Sequence, residues 1–139
     1  MMKGLLKYDV KVLLALKESI EGKDAFFRWL VEGGYPELAA FSNFLHDDEE
    51  AERFLVKTGN GWLGLLSHAI DGDARARAWV QTNLHQANMM FVLACRGDEK
   101  AISWLRFMQL DVLVLLSEGV AFLRKHQELD RAYPYKMKF

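Results

Sequence analysis

The chain has 139 residues, one cysteine and a formal net charge of -1, with 51% hydrophobic residues. That is one domain's worth of chain with enough apolar side chains for a core. It excludes an intramolecular disulfide or multi-cysteine metal site, and nothing in the charge balance calls for nucleic acid or an anionic membrane.

Taken from the start, residues 5–21 carry an apolar run, Val12-Leu13-Leu14-Ala15-Leu16, hemmed in by Asp9, Lys11 and Lys17. The run is too short for a signal segment and far too short to span a bilayer, so the reading is a soluble cytoplasmic protein. From residue 24 a 25-residue period sets in. Trp29, Phe54, Trp79 and Trp104 are each 25 residues apart. Leu38, Leu63 and Leu113 share a phase in which Asn88 is the exception. Phe41, Leu66, Phe91 and Leu116 share another, and Leu45, Ile70, Cys95 and Val120 a third. Agreement at so many positions marks an internal repeat.

Each unit reads as two short helices. The first spans about 24–32 in copy one, with Phe26, Trp29 and Leu30 on one face at i, i+3 and i+4. This predicts that the four in-phase aromatic rings are buried. Ala51, Ala76 and Ala101 replace Phe26 in later copies and let helices approach closely. Asp48, Asp73 and Asp98 suit N-caps. Gly72 and Gly97 suit the left-handed residue that ends the preceding helix. The turn between the two helices is Gly33-Gly34-Tyr35-Pro36 in copy one, with Pro36 fit for a first helical position, and Thr58-Gly59-Asn60-Gly61 in copy two. No strand or Lys-Ser/Thr accompanies these glycines, which argues against a phosphate loop. The second helix spans about 36–46, with copies near 61–71, 86–96 and 111–121. After Val120 the pattern fades: Leu129 stands in the aromatic phase, and residues 111 to about 131 read as one longer helix capping the stack. The tail Tyr133-Pro134-Tyr135-Lys136-Met137-Lys138-Phe139 is aromatic and unpatterned.

Helices this short do not stand alone in water, and stacking them buries a continuous core. The expected architecture is all-α: a right-handed α-solenoid of about five stacked helical hairpins. Its parts are a cap unit 1–23, repeats 24–48, 49–73, 74–98 and 99–121, and a C-terminal capping helix and tail 122–139. The logic resembles ankyrin, HEAT and tetratricopeptide arrays, with a shorter period and none of their consensus motifs. Copies such as Gly97-Asp98-Glu99-Lys100-Ala101-Ile102-Ser103-Trp104-Leu105 resemble short helical repeats of uncharacterised bacterial proteins over roughly residues 20–121. That resemblance implies a fold and a bacterial origin, and no activity.

Little chemistry emerges. His46, His68, His85 and His126 share no phase and no i, i+4 spacing, so no metal site is expected. Ser67 and His68 are adjacent and point about 100° apart on a helix, which rules them out as a nucleophile–base pair. Ser42, Ser67 and Ser117 recur in phase as small packing or back-bonding hydroxyls. Cys95 sits in a core phase. Trp62 is out of phase and reads either as filling a core gap or as a surface ring. No acid, base and nucleophile converge, so the reading is a non-enzymatic module without cofactor, binding protein or peptide along the exposed arc of the second-helix layer. That arc gives the candidate binding residues Asn43, His46, Ser67, His68, Asp71, Met89, Val92, Leu93, Arg96 and Val114. The third copy is apolar all round, which points to a homodimer or partner surface centred on Met89 and Leu93 with Val114 beside them. The rival reading is nucleic-acid-backbone binding by Arg53, Arg75, Arg77, Arg96, Lys100 and Arg106.

Overall fold

The computed structural model describes residues 1–132, with the side chains of 131 and 132 excepted. Among these residues there are nine α-helices and no strand. A short 3₁₀ turn (Gly4–Lys7) leads into α1 (Val10–Ile20). Four outer helices follow, α2 (Asp24–Glu32), α4 (Glu49–Lys57), α6 (Ala74–Asn83) and α8 (Glu99–Phe107). They alternate with inner helices α3 (Pro36–Leu45), α5 (Gly61–Ile70), α7 (Gln86–Cys95) and the long α9 (Asp111–Ala132). The outer helices begin at 24, 49, 74 and 99, and the inner ones at 36, 61, 86 and 111, so the sequence period is also the period of the elements.

Local signals act as their chemistry dictates. The carboxylates of Asp48, Asp73 and Asp98 accept from the backbone N–H groups of Glu50, Ala76 and Ala101, each at 3.0 Å. Gly72 and Gly97 hold φ of 97° and 83°, where a side chain is disfavoured. Pro36 opens α3 at its first turn. After Val120 neither a glycine nor an aspartate follows, only Ala121-Phe122-Leu123, and α9 runs straight on to Ala132 as the fading pattern suggests.

The buried aliphatics are Leu30, Leu55, Val80 and Leu105, all fully buried and 25 residues apart. The aromatic positions one residue earlier are not. Trp29 and Phe54 are 37% and 40% exposed, while Trp79 and Trp104 are half-buried. This corrects the expectation of four buried rings. Successive residues on a helix diverge by about 100°, and only one of the two faces the core. Trp62 resolves as core, with the Lys7 ammonium 5.3 Å from its ring centre.

Packing partners define the layers. Each inner helix packs on the next, α1 on α3, α3 on α5, α5 on α7 and α7 on α9, and α9 packs back on α1. The inner helices therefore form a closed cycle of contacts. Gly119 makes the closing contact tight: a Cβ there would meet Lys17 Cγ at 3.1 Å. Each outer helix bridges two neighbours: α2 lies over α1 and α3, α4 over α3 and α5, α6 over α5 and α7, α8 over α7 and α9.

One end of the cycle is plugged by the N-terminal segment. Asn88, the exception to the leucine phase, is fully buried beneath it. It accepts from the Leu5 N–H at 2.9 Å and donates to the Lys3 carbonyl at 2.9 Å. Beyond it, Met2 bridges to Leu84.

Candidate functional site

Closure decides what the surface offers. Much of the arc expected to be exposed on the second-helix layer is covered by neighbouring helices. Ser67, Val92 and Val114 are only 5%, 0% and 3% exposed, a correction to their placement on an open binding layer. Met89 and Leu93 are half-buried, Met89 packing against the core. The apolar third copy is therefore largely covered by its own chain: α8, α9 and the N-terminal turn all pack on α7.

Two more of the candidate residues serve the frame. His46 Nε2 lies 2.9 Å from the carbonyl of Ile20, the last residue of α1. Arg96 Nη1 donates to the carbonyl of Ile70, the last residue of α5, at 3.2 Å. The same C-terminal position thus bonds the end of the preceding inner helix in two copies, satisfying a carbonyl that a helix end leaves open. Arg77 likewise donates to the Ala69 carbonyl at 2.9 Å, so two of the six basic residues considered for nucleic acid are engaged with backbone. Asn43 lines a small hollow with His46. Cys95 is buried, which pushes its thiol well above the usual range and leaves it a packing residue.

Ser67, His68 and Asp71 do come together. They line a cavity of about 490 Å³ where α3 and α5 end and α9 continues overhead. Phe44, Leu45, Val120 and Leu123 give it an apolar floor. His68 Nε2 is 2.6 Å from Glu52 Oε2, and Phe44 meets the His68 ring edge-on at 5.4 Å. Arg124 pairs with Asp71, and Gln127 Nε2 donates to the Leu45 carbonyl at 2.9 Å, which fixes α9 over the cavity. Sequence reading missed Arg124, Gln127 and Glu128 because they follow the last clear repeat. The lost Gly-Asp turn after Val120 was the signal that α9 would reach this far.

The second feature lies on the outside. Five inner helices in a cycle make five seams, and four outer helices cover four of them. Among the described residues nothing covers the seam between α9 and α1; the aromatic tail 133–139 lies outside them. Leu14 is in phase with Ala39, Gly64, Met89 and Val114, and Leu115 with Ala15, Ala40, Leu65 and Met90. The equivalents are buried or half-buried under an outer helix, whereas Leu14 and Leu115 are exposed. Gly64 shows what covers this phase elsewhere: a Cβ there would lie in ordinary contact, 3.9 Å, with Glu52 Cγ of α4. An open groove of about 820 Å³ adjoins this seam, walled by Val10, Leu14, Phe26 and Trp29. Phe26 occupies the phase of the buried alanines in the later outer helices.

Among the described residues no helix is long and apolar enough to cross a membrane, and no group of three or more His, Cys, Asp or Glu side chains is placed to hold a metal ion. Compared with family models, with curated proteins and with solved structures, the chain matches none of the three.

Proposed function

We propose that the chain is a non-enzymatic helical-repeat module, a short solenoid of five stacked units closed on itself, that binds a protein partner through one amphipathic helix. The observation that carries this reading is the fifth seam, which no element covers among the described residues. Three of the four covered seams show what such a site accepts: a helix of about three turns with a small residue and, four positions later, an aliphatic, as in Ala51 and Leu55, Ala76 and Val80, Ala101 and Leu105. Contiguous apolar side chains on a folded surface mark interaction sites, and a helix laid into a groove is a recurring recognition mode. The partner helix then takes the place of the missing outer helix, between Leu14 and Leu115. This places binding on the outer face.

The test uses a helix-stapled, fluorescently labelled peptide carrying residues 98–108, an outer helix of this chain, as probe. Saturable binding to the full chain that is lost in Leu14→Glu and in Leu115→Glu, with both variants melting like the native protein, supports the reading. Absence of saturable binding, or unchanged affinity in both glutamate variants, removes it.

A further inference from the structure

We propose that the cavity beneath α9 binds a small organic cation, a primary ammonium on a short apolar chain. It lies at the end of the inner helices, away from the bare seam, and does not depend on the helix-docking reading.

The first observation is Ser67. It is 5% exposed and lines the cavity. Its in-phase equivalents are satisfied: the Ser42 hydroxyl lies 2.9 Å from that of Ser19, and the Ser117 hydroxyl donates to the Val114 carbonyl at 2.6 Å. Among the described residues the Ser67 hydroxyl has no hydrogen-bond partner, and it is not sealed off from the cavity. The side chain is otherwise enclosed, so its hydroxyl is open only to what occupies the cavity, water or a ligand.

Charge selects what enters. Four carboxylates, Asp47, Glu49, Asp71 and Glu128, line the cavity against one guanidinium, Arg124, which already pairs with Asp71. Glu49 and Glu128 form no ion pair among the described residues. Helices α3 and α5 end here, and helix C-termini carry partial negative charge that favours cations. Both features disfavour an anion, although Arg124 and His68 also line the cavity. A metal ion is disfavoured by geometry, because no three carboxylate or imidazole groups converge on one point. The floor of Phe44, Leu45, Val120 and Leu123 is apolar and would shelter an alkyl chain. At about 490 Å³ the cavity falls within the range that holds small ligands. An ammonium on a chain of four to six carbons satisfies each of these features: Ser67 Oγ accepts one N–H, Glu49 or Glu128 balances the charge, and the chain lies on the floor.

The same chemistry has two sources, a free alkylamine or a lysine side chain of another protein. The experiment titrates the full chain with n-pentylammonium chloride and, separately, with acetyl-Gly-Lys-Gly-amide. Calorimetry and amide chemical shifts follow binding, with pentanol and pentanoate as neutral and anionic controls. Saturable shifts confined to residues 44–49, 67–71 and 120–128 with either ammonium, and absent with both controls, support the site. The tighter of the two arms names the source. Ser67→Ala breaks no hydrogen bond within the protein, so it is expected to melt like the native chain while weakening ammonium binding about tenfold. Glu128→Gln, on the exposed rim, is expected to weaken it about threefold. The proposal is overturned if neither ammonium saturates, if pentanol binds equally well, or if Ser67→Ala binds with native affinity.

Discussion

Asn88 offers a direct test of how the N-terminal segment is held. All four of its in-phase equivalents, Leu13, Leu38, Leu63 and Leu113, are leucines, so a consensus argument recommends Asn88→Leu as stabilising. The structure argues the reverse. Asn88 is fully buried, and its carboxamide bonds the Leu5 N–H, the Lys3 carbonyl and the His85 carbonyl at 2.9, 2.9 and 3.0 Å. Gly4 presses directly on that carboxamide, and even a Cβ on Gly4 would fall 2.4 Å from Asn88 Oδ1. Leucine there orphans the Leu5 amide, at about 1–3 kcal/mol for a buried donor. The Lys3 carbonyl recovers water because Lys3 is exposed, so it adds little. If the turn lifts away instead, the fully buried Leu5 side chain is uncovered, at about 1.5–3 kcal/mol. By either route the loss is about 1–3 kcal/mol, and the two do not add. Urea denaturation at 25 °C measures it, and amide exchange shows residues 2–8 losing protection before the rest. A variant as stable as the native chain, with those amides still protected, would refute the tether.

Leu30→Ala should destabilise by about 3–4 kcal/mol and Trp29→Ala by under about 2 kcal/mol, because the leucine is fully buried and the larger ring is not; chemical denaturation with the order reversed would restore the aromatic as the core residue. Asp98→Ala should lose about 1 kcal/mol through its cap on the Ala101 N–H, measured as a shift in thermal melting, and a native-like melt would mean the cap is idle. The Tyr8 phenol donates to Glu37 at 2.7 Å, and burial first, then that carboxylate, pushes its ionisation far above the ordinary value near 10. A folded-state value raised above the unfolded one gives stability that is complete below about pH 10 and is lost as pH rises further. The native chain should therefore lose stability between about pH 10 and 11.5 more steeply than Tyr8→Phe, and parallel curves would count against the buried phenol.

The repeat was legible because local chemistry recurs with it. Aspartate caps, glycine stops and aliphatic phases each act within a few residues, and together they place the helix starts. Closure was not legible. Whether α9 meets α1 depends on the curvature accumulated over the intervening units, which no single unit encodes. Gly119 is its one local trace, and it reads as an ordinary weak helix position until Lys17 is seen against it. Three positions of the candidate arc, Ser67, Val92 and Val114, are buried because neighbouring helices close over them, which the pattern of a single unit does not encode. Asn88 stood out in sequence as a break in phase, but its partner lies 83 residues away at Leu5. The bare seam was half visible, since the missing Gly-Asp signal after Val120 removes the fifth outer helix. What it uncovers depends on the closure.

The α1–α9 contact also fixes arithmetic. An open array gains or loses a unit at its end with only a neighbour term changed. Here a sixth 25-residue unit inserted between Asp73 and Ala74 would need the cycle to widen before Lys17 could again reach Gly119, and deleting one would force it to tighten. Copy number is therefore a structural constant of this chain. The join that enforces it links residues about a hundred positions apart, so its loop-closure entropy falls on a contact made late in folding. A circular permutant with its break between α4 and α5 would have α1 and α9 as sequence neighbours and turn that slow join into a local one.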